Sequence, residues 1–263
     1  VTWLRNDGGR FTNASASAGL DRTHGWWYSI ATADVNADGH VDIIAGNLGW
    51  NSKFHGTPDK PVHIYWADFD DNGRHDIVLA KEKNGKQLPV RGRECSSQQC
   101  PMILQKFPTY QEFANADLAG IYTPEKLAGA LHLQATMFRS TVLINDGKNR
   151  FNAMDLPPLA QVAPINAVLP TDVNGDGHVD LIIAGNNWGA EVETARYDAG
   201  IGQVLLGDGK GRFAPMPVMR SGFFAWGNVK DLALVPTAAG SPLIVVANNA
   251  GPMQVFRRST PGR

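Results

Sequence analysis

One nine-residue pattern, written three times, constrains this chain more than any other feature in it. It runs Asp34-Val-Asn36-Ala-Asp38-Gly39-His40-Val-Asp42, then Asp68-Phe-Asp70-Asp-Asn72-Gly73-Arg74-His-Asp76, then Asp172-Val-Asn174-Gly-Asp176-Gly177-His178-Val-Asp180. Each copy reads D-x-[DN]-x-[DN]-G-x-x-D. Oxygen-bearing side chains at alternate positions ahead of a glycine wrap a backbone around a hard cation, and Ca²⁺ takes six to eight oxygens. Nine of the 25 acidic residues sit at ligand positions in these loops. Without a cation, the three carboxylates of each loop repel one another. Asn, Asp and Gly also make plain turns, but three copies at identical spacing point to metal.

The first half of the pattern matches an EF-hand loop, which also needs a bidentate Glu at position twelve and flanking helices. Position twelve here is Ala45, Leu79 or Ile183, none of which binds metal. The flanks are β-branched, glycine-bounded runs such as Ser29–Ala33, Val41–Gly46 and Val179–Gly185, which read as strands. Each loop is therefore expected to join two strands. Its ligands would be side chains 1, 3, 5 and 9, plus the backbone carbonyl of position seven: His40, Arg74 or His178. That set saturates the ion, so the expected role of three Ca²⁺ ions is structural rather than catalytic.

With 263 residues and a net charge of −1, the chain can bury a core, and nothing favours nucleic acid or an anionic membrane as partner. No apolar run reaches transmembrane length. The chain starts at Val1 with no signal-like stretch, and reads as a mature protein or a piece of a longer one. Cys95 and Cys100, in a polar segment without further metal-ligand pairs, are expected to form a small-loop disulfide. Weak Ca²⁺ sites and a disulfide both suit an extracellular, cell-surface or periplasmic location.

A second repeat runs in step with the first. Leu4-Arg-Asn-Asp7-Gly8-Gly-Arg-Phe11, Leu143-Ile-Asn-Asp146-Gly147 through Phe151, and Leu205-Leu-Gly-Asp208-Gly209 through Phe213 each read as a hairpin. An Asp-Gly turn would reverse the chain, and the aromatic would enter the core. Asp7 precedes Asp34 by 27 residues, and Asp146 precedes Asp172 by 26. The same step from Asp208 lands in Val235–Gly251, which keeps the strand–turn–strand shape and has lost every carboxylate. It reads as a degenerate, metal-free repeat. Residues 81–140 break the rhythm. A polar stretch precedes Thr109-Tyr-Gln-Glu112, a capping box opening a helix with Tyr110, Phe113, Leu118 and Ile121 near one face. Thr123-Pro124 starts another, with Leu127, Leu131, Gln134 or Ala135, and Phe138 as its apolar positions. The expected layout is repeats with two Ca²⁺ loops in 1–80, a polar and helical insertion in 81–140, and repeats with one Ca²⁺ loop and the degenerate copy in 141–263.

The acidic loops, the Asp-Gly hairpins and the endings Ala45-Gly46-Asn47 and Ala184-Gly185-Asn186 resemble the FG-GAP/VCBS repeats, the units of the integrin-α β-propeller. The insertion, through Lys86–Arg93 and Phe107–Tyr110, and the segment Glu193–Asp198 are similar to parts of bacterial secreted proteins related to cartilage acidic protein. The resemblance implies an all-β fold with a helical insertion, a β-propeller or partial propeller, with Ca²⁺ in the three loops. The leading functional reading is a non-catalytic surface or secreted module for protein or glycan binding. One alternative is a polysaccharide lyase or glycosidase using Glu191, Glu193, Arg196, Tyr197 and Asp198. Another is a docking module of a longer multidomain protein, with Gly25-Trp26-Trp27-Tyr28 and Gly49-Trp50-Asn51 as contact surface. Arg91 and Arg93 are candidates for holding an anion. His55, His63, His75 and His132 share no spacing and receive no role.

Overall fold

The computed structural model describes residues 1–191, 193–238 and 240–258. Two compact units divide it: one joins Val1–Lys53 to the chain from Phe138 onward, and the other is Phe54–Met137. In the larger unit, β1 (Leu4–Asp7) and β2 (Arg10–Asn13) pair as a hairpin. β3 (Ser29–Ala33) and β4 (Asp42–Gly46) flank the first acidic loop. The smaller unit follows in sequence, with β5 (Val62–Ala67) and β6 (Asp76–Lys83) around the second loop, then β7 (Lys86–Pro89). Five short helices come next: α1 (Arg93–Gln99), α2 (Met102–Lys106), α3 (Tyr110–Asn115), α4 (Leu118–Tyr122) and α5 (Pro124–Gly129). β8 (Leu131–Ala135) closes that unit.

The larger unit resumes with β9 (Thr141–Asn145) and β10 (Phe151–Asp155). β11 (Ile165–Thr171) and β12 (Asp180–Gly185) flank the third loop, followed by β13 (Gln203–Gly207) and β14 (Phe213–Met216). The short helix α6 (Val218–Ser221) leads to β15 (Val229–Val235), β16 (Leu243–Asn248) and β17 (Gln254–Arg257). The sheets are antiparallel, in the orders β10-β9-β4-β3, β11-β12-β13-β14, β15-β16-β17 and β7-β6-β5-β8. The smaller unit is thus inserted in sequence between the second and third strands of one sheet.

The repeat is visible in the register. β11 and β15 both carry a bulge at their start, between Ile165 and Ala167 and between Val229 and Asp231. β15 and β16 pair across the carboxylate-free turn, which closes through Thr237 Oγ1 donating to the Ser241 carbonyl at 2.9 Å; Ala239 of that turn lies outside the described residues. The strands that read as continuous apolar runs are covered on both faces: all six residues of β12 are buried. One core gathers Ile44, Val142, Ile165, Leu181, Ile183 and Leu205 between the first two four-stranded sheets. A second gathers Ile182, Val204, Phe223, Val229, Leu232 and Val246 between the β11–β14 and β15–β17 sheets. Each fully buried Leu or Ile contributes roughly 1.5–3 kcal/mol. Gly185 pairs with Ile165 beside the β11 bulge, and a Cβ there would collide with the Pro164 carbonyl.

Four expectations need correction. The second acidic loop belongs with the helices in Phe54–Met137, not with the first loop in 1–80. Its strands β5 and β6 form the centre of a sheet whose edges are β7 and β8, and the helices cover it through Phe69, Val78, Ala80, Ile103, Phe113, Leu118 and Ile121. The apolar run from Leu127 to Phe138 is not one helix. α5 ends at Gly129, and Leu131–Ala135 pairs with Val62–Trp66 as a strand. The edge position offered by β5 outweighs the helical spacing of those residues. The Tyr110–Ile121 helix is likewise broken in two, because Asp117 caps a new one by accepting from Gly120 N at 2.8 Å. Finally, Phe11 does not enter a core. All eight residues of β1 and β2 are exposed, Phe11 by 64%, whereas Phe151 and Phe213 are partly buried in the cores beside them. The capping box does form: Thr109 Oγ1 accepts from Glu112 N at 3.2 Å and the Glu112 carboxylate accepts from Thr109 N at 2.9 Å.

Candidate functional site

The three acidic loops share one internal hydrogen-bond plan. The first-position carboxylate spans the loop, with one oxygen accepting from the position-six glycine: Asp34 from Gly39 at 2.8 Å, Asp68 from Gly73 at 2.8 Å, Asp172 from Gly177 at 3.0 Å. Position five accepts from the amide of position seven at 2.8 Å in every copy: Asp38 from His40, Asn72 from Arg74, Asp176 from His178. Those amides hold the Asp38 and Asp176 carboxyls below the usual range. Position three accepts from position five, through Asn36, Asp70 and Asn174. The chain turns left-handed twice in each loop, at position four (Ala37, Asp71, Gly175) and position six. The glycine at six is what that conformation demands.

Position nine differs in kind. Asp42, Asp76 and Asp180 open the second strand and are buried. One oxygen of each accepts the amide of position two: Val35 at 3.0 Å, Phe69 at 3.1 Å, Val173 at 2.9 Å. The other oxygen of Asp42 accepts from Asn145 N, and that of Asp180 from Gly207 N, both at 2.8 Å. These donors end β9 and β13, so the carboxylate ties the loop to the next hairpin. The sequence reading saw only ligands at position nine and missed this second duty. At position seven it looked to the backbone carbonyls. The exposed side chains of His40 and His178 lie against Gly147 and Gly209, the glycines of the following Asp-Gly turns.

All the side chains at the ligand positions offer oxygen, the donor set of a hard divalent cation. In the second loop, Asp68, Asp70 and Asp76 bring carboxylate oxygens within 4.8 Å of one another, the one such group found among the described residues. In the first loop the Asp42 carboxyl is pushed upward by its burial, against the pull of the Asn145 and Val35 amides, and the negative charges of Asp38 and Asp34 add to the rise. A bound cation would relieve that repulsion.

Cys95 and Cys100 are not bridged. They lie on and just after α1, five residues apart, which turns them about 140° from each other around a helix of 3.6 residues per turn. Cys100 is buried in the helical core, where its thiol donates to Asp76 Oδ2 at 3.4 Å and is pushed up to about 12, first by burial and then by Asp76.

The Glu191–Asp198 segment is engaged with its own neighbours. Glu191 meets Lys53 Nζ at 3.2 Å and accepts from Thr194 Oγ1 at 2.9 Å. Arg196 donates to Asp198 at 2.8 Å and lies over the Trp188 ring, while Glu193 is exposed; Val192 lies outside the described residues. Tyr197 pairs with Asn187 through the backbone, and its phenol is pushed up to about 12 by burial, then by Tyr28 and Glu191. Nearby, Trp188 stacks on Trp226 at 6.2 Å. Of the predicted contact aromatics, Trp26 is wedged edge-on against Phe138, Trp27 donates to the Thr23 carbonyl, and Tyr28 and Trp50 are exposed. Arg91 and Arg93 line a cavity of about 440 Å³ together with Lys81, Lys83 and Tyr110. Arg93 spends its Nε and Nη2 on the Phe107 and Pro108 carbonyls, and Arg91 donates to Gln99 at 2.8 Å.

The Ala-Gly-Asn endings have a structural reason. Asn186, at φ 119°, donates to the carbonyls of Gly200, Trp226 and Gly227 and accepts from Gly200 N. Asn47 is equally buried, its amide N–H held by Ser140 Oγ at 2.9 Å.

Comparison with known proteins agrees with this repeat geometry. An FG-GAP-like repeat model matches residues 1–45, and an FG-GAP repeat model matches residues 26–65. Cartilage acidic protein 1 of Mus musculus and that of Homo sapiens are each 25% identical over 258 residues, covering 92% of this chain and 32% of theirs. The chain spans about a third of the length of these curated relatives. The chain thus carries FG-GAP repeats across residues 1–65, and the loop they contain recurs in two later hairpins.

Proposed function

We propose that this chain is a calcium-stapled, non-catalytic binding module that works outside the cell, its sheets forming the blades of a β-propeller or part of one. The observation that carries the reading is the conserved interior of the three acidic loops: oxygen donors at the same four side-chain positions, held by the same backbone amides. Asp34, Asn36, Asp38 and Asp42 would hold one ion, Asp68, Asp70, Asn72 and Asp76 the second, and Asp172, Asn174, Asp176 and Asp180 the third. The carbonyls of His40, Arg74 and His178 would complete them. A cation bound only by the folded state adds its binding free energy to stability.

The groups suited to acid–base chemistry support a non-catalytic role, since Glu191, Arg196 and Asp198 are spent on one another's neighbourhood. Exposed Tyr28, Trp50 and Trp226 offer aromatic surface to a protein or glycan partner. The location rests on the repeat family and on relatives whose name ties them to cartilage. No helix among the described residues is long and apolar enough to cross a membrane. Elemental analysis of the purified protein should find about three calcium ions per chain, and EDTA should lower the melting temperature until Ca²⁺ is restored. Metal-free protein with an unchanged melting curve would overturn the proposal.

A further inference from the structure

Two histidines without any shared spacing in the sequence meet in the smaller unit. β5 pairs with β8 so that His63 and Tyr65 lie on one face with His132, and the β6–β7 hairpin adds Glu82 and Gln87. His63 Nδ1 and His132 Nε2 stand 2.9 Å apart. The other nitrogen of His63, Nε2, is 3.2 Å from Glu82 Oε1. The His63 side chain is 3% exposed, while His132 faces solvent and stacks on Tyr65 with ring centroids 4.3 Å apart. Tyr65 is itself fixed by donating to Gln87 Oε1 at 2.8 Å, and the Gln87 amide nitrogen lies 3.4 Å from both nitrogens of His63.

We infer that His63 Nδ1 and His132 Nε2 form a two-histidine site for a transition-metal ion of the Zn²⁺ class, with Glu82 as the carboxylate that orients the inner ring. With Glu82 accepting the Nε2 proton, His63 presents a bare lone pair at Nδ1. A metal-bound histidine donates its second N–H to a carboxylate in just this way. Metal–nitrogen bonds of about 2.0–2.1 Å at a tetrahedral angle place two nitrogens about 3.4 Å apart, so the pair needs to open by roughly half an ångström. The exposed His132 ring can supply that movement. Its Nε2 gives up the proton that it shares with His63, and Nδ1 takes a proton in its place, so the ring stays neutral. Water, or a group of a bound partner, fills the remaining positions on the solvent side.

The site is independent of the calcium proposal. Isothermal titration of ZnCl₂ into the whole chain, with Ca²⁺ in excess, should show one Zn²⁺ site. That site should vanish in His132→Ala and His132→Gln and weaken at least tenfold in Glu82→Gln. The variants' melting curves in the same buffer report that they are folded. In the wild-type protein, the His63 and His132 ring nitrogens should shift in a long-range ¹H–¹⁵N spectrum on adding Zn²⁺. No uptake, or uptake equal in the wild type and His132→Ala, overturns the inference. The latter result assigns the zinc to the acidic loops.

Discussion

In the first and third acidic loops the ninth-position carboxylate reaches sideways to a strand, taking the amides of Asn145 and Gly207. In the second it meets a thiol instead, Cys100 at the junction of α1 and α2. Inside, the loops share the bonds at positions six and seven, and differ in that Asp172 takes its second amide from position four where Asp34 and Asp68 take it from position five. Outside, the surroundings differ: β9 and β13 reach the ninth position in the larger unit, whereas in the smaller one β7 pairs only with Ala80–Lys83 and the helical layer covers Asp76 instead. The buried carboxylate therefore behaves as a socket that accepts whatever donor the following element brings. An Asp-Gly hairpin brings a backbone amide to Oδ1, whereas the inserted helices bring a thiol to Oδ2 of Asp76, the oxygen that also accepts Phe69 N. That interchange explains how an insertion interrupts a repeat without destroying the loop it interrupts.

Calcium removal gives the largest test of this comparison. Each occupied site stabilises its own unit by about 2.7 kcal/mol at a hundredfold excess over its dissociation constant. The larger unit contains two loops and the smaller one contains one. In calorimetry, EDTA should lower the transition of the larger unit about twice as far in free energy as that of the smaller. Equal shifts would break the assignment of loops to units.

The socket itself is tested in EDTA, where no cation contributes. Asp42→Ala strips acceptors from two amides, Val35 N and Asn145 N, and should cost about 2–4 kcal/mol. Asp76→Ala orphans one amide and a weakly donating thiol, so about 1–3 kcal/mol is expected. Denaturant melts of the two variants check the order. A larger loss for Asp76→Ala would mean that the helical layer, rather than the carboxylate's partners, governs the smaller unit.

Much of this architecture was legible because it is local. The acidic loops, the Asp-Gly hairpins, the Thr109 capping box and the carboxylate-free turn each lie within a dozen residues, where spacing and turn chemistry decide the outcome. What stayed hidden depends on pairing over long separations. Leu131–Ala135 has helical spacing and becomes a strand because β5 offers it an edge. The same pairing brings His132 to His63, 69 residues away, and no local pattern announces it. Cys95 and Cys100 fit a disulfide by proximity in sequence, but the helix between them turns the second sulfur into the core. The exposure of Phe11 is similarly non-local, since its hairpin resembles the other two in sequence but forms a two-stranded sheet by itself, whereas theirs extend four-stranded sheets through β4 and β12.

Cys100 carries a smaller effect. Cys100→Ala removes a buried sulfur and its bond to Asp76, which should cost about 1–2 kcal/mol, while Cys100→Ser keeps a donor for Asp76. If the thiol fills the socket as the amides do, combining Cys100→Ala with Asp76→Ala should cost less than the sum of the single losses. With its thiol pushed up to about 12, Cys100 should also resist iodoacetamide at pH 8 in the folded protein. Additive losses, or rapid alkylation of the native chain, would separate Cys100 from the loop.

The smallest expected effect concerns the histidines at position seven, which distinguish the two hairpin-linked loops from the one carrying Arg74. Gly147 (φ 74°) and Gly8 (φ 64°) are both left-handed glycines that follow an aspartate in a hairpin, Gly8 in a two-residue loop and Gly147 in a five-residue one. Either one changed to Ala forces a left-handed alanine, at about 1–2 kcal/mol. A Cβ at Gly8 meets nothing within 4 Å, whereas one at Gly147 would stand 2.5 Å from His40 Nε2. Because His40 is exposed, its ring can swing aside at the cost of a rotamer change, so Gly147→Ala should exceed Gly8→Ala by only about 0.5–1.5 kcal/mol. His40→Ala in the Gly147→Ala background should erase that excess, since the clash then has no partner. An excess that survives without the imidazole would place the strain in the turn itself, and position seven would serve the loop through its backbone alone.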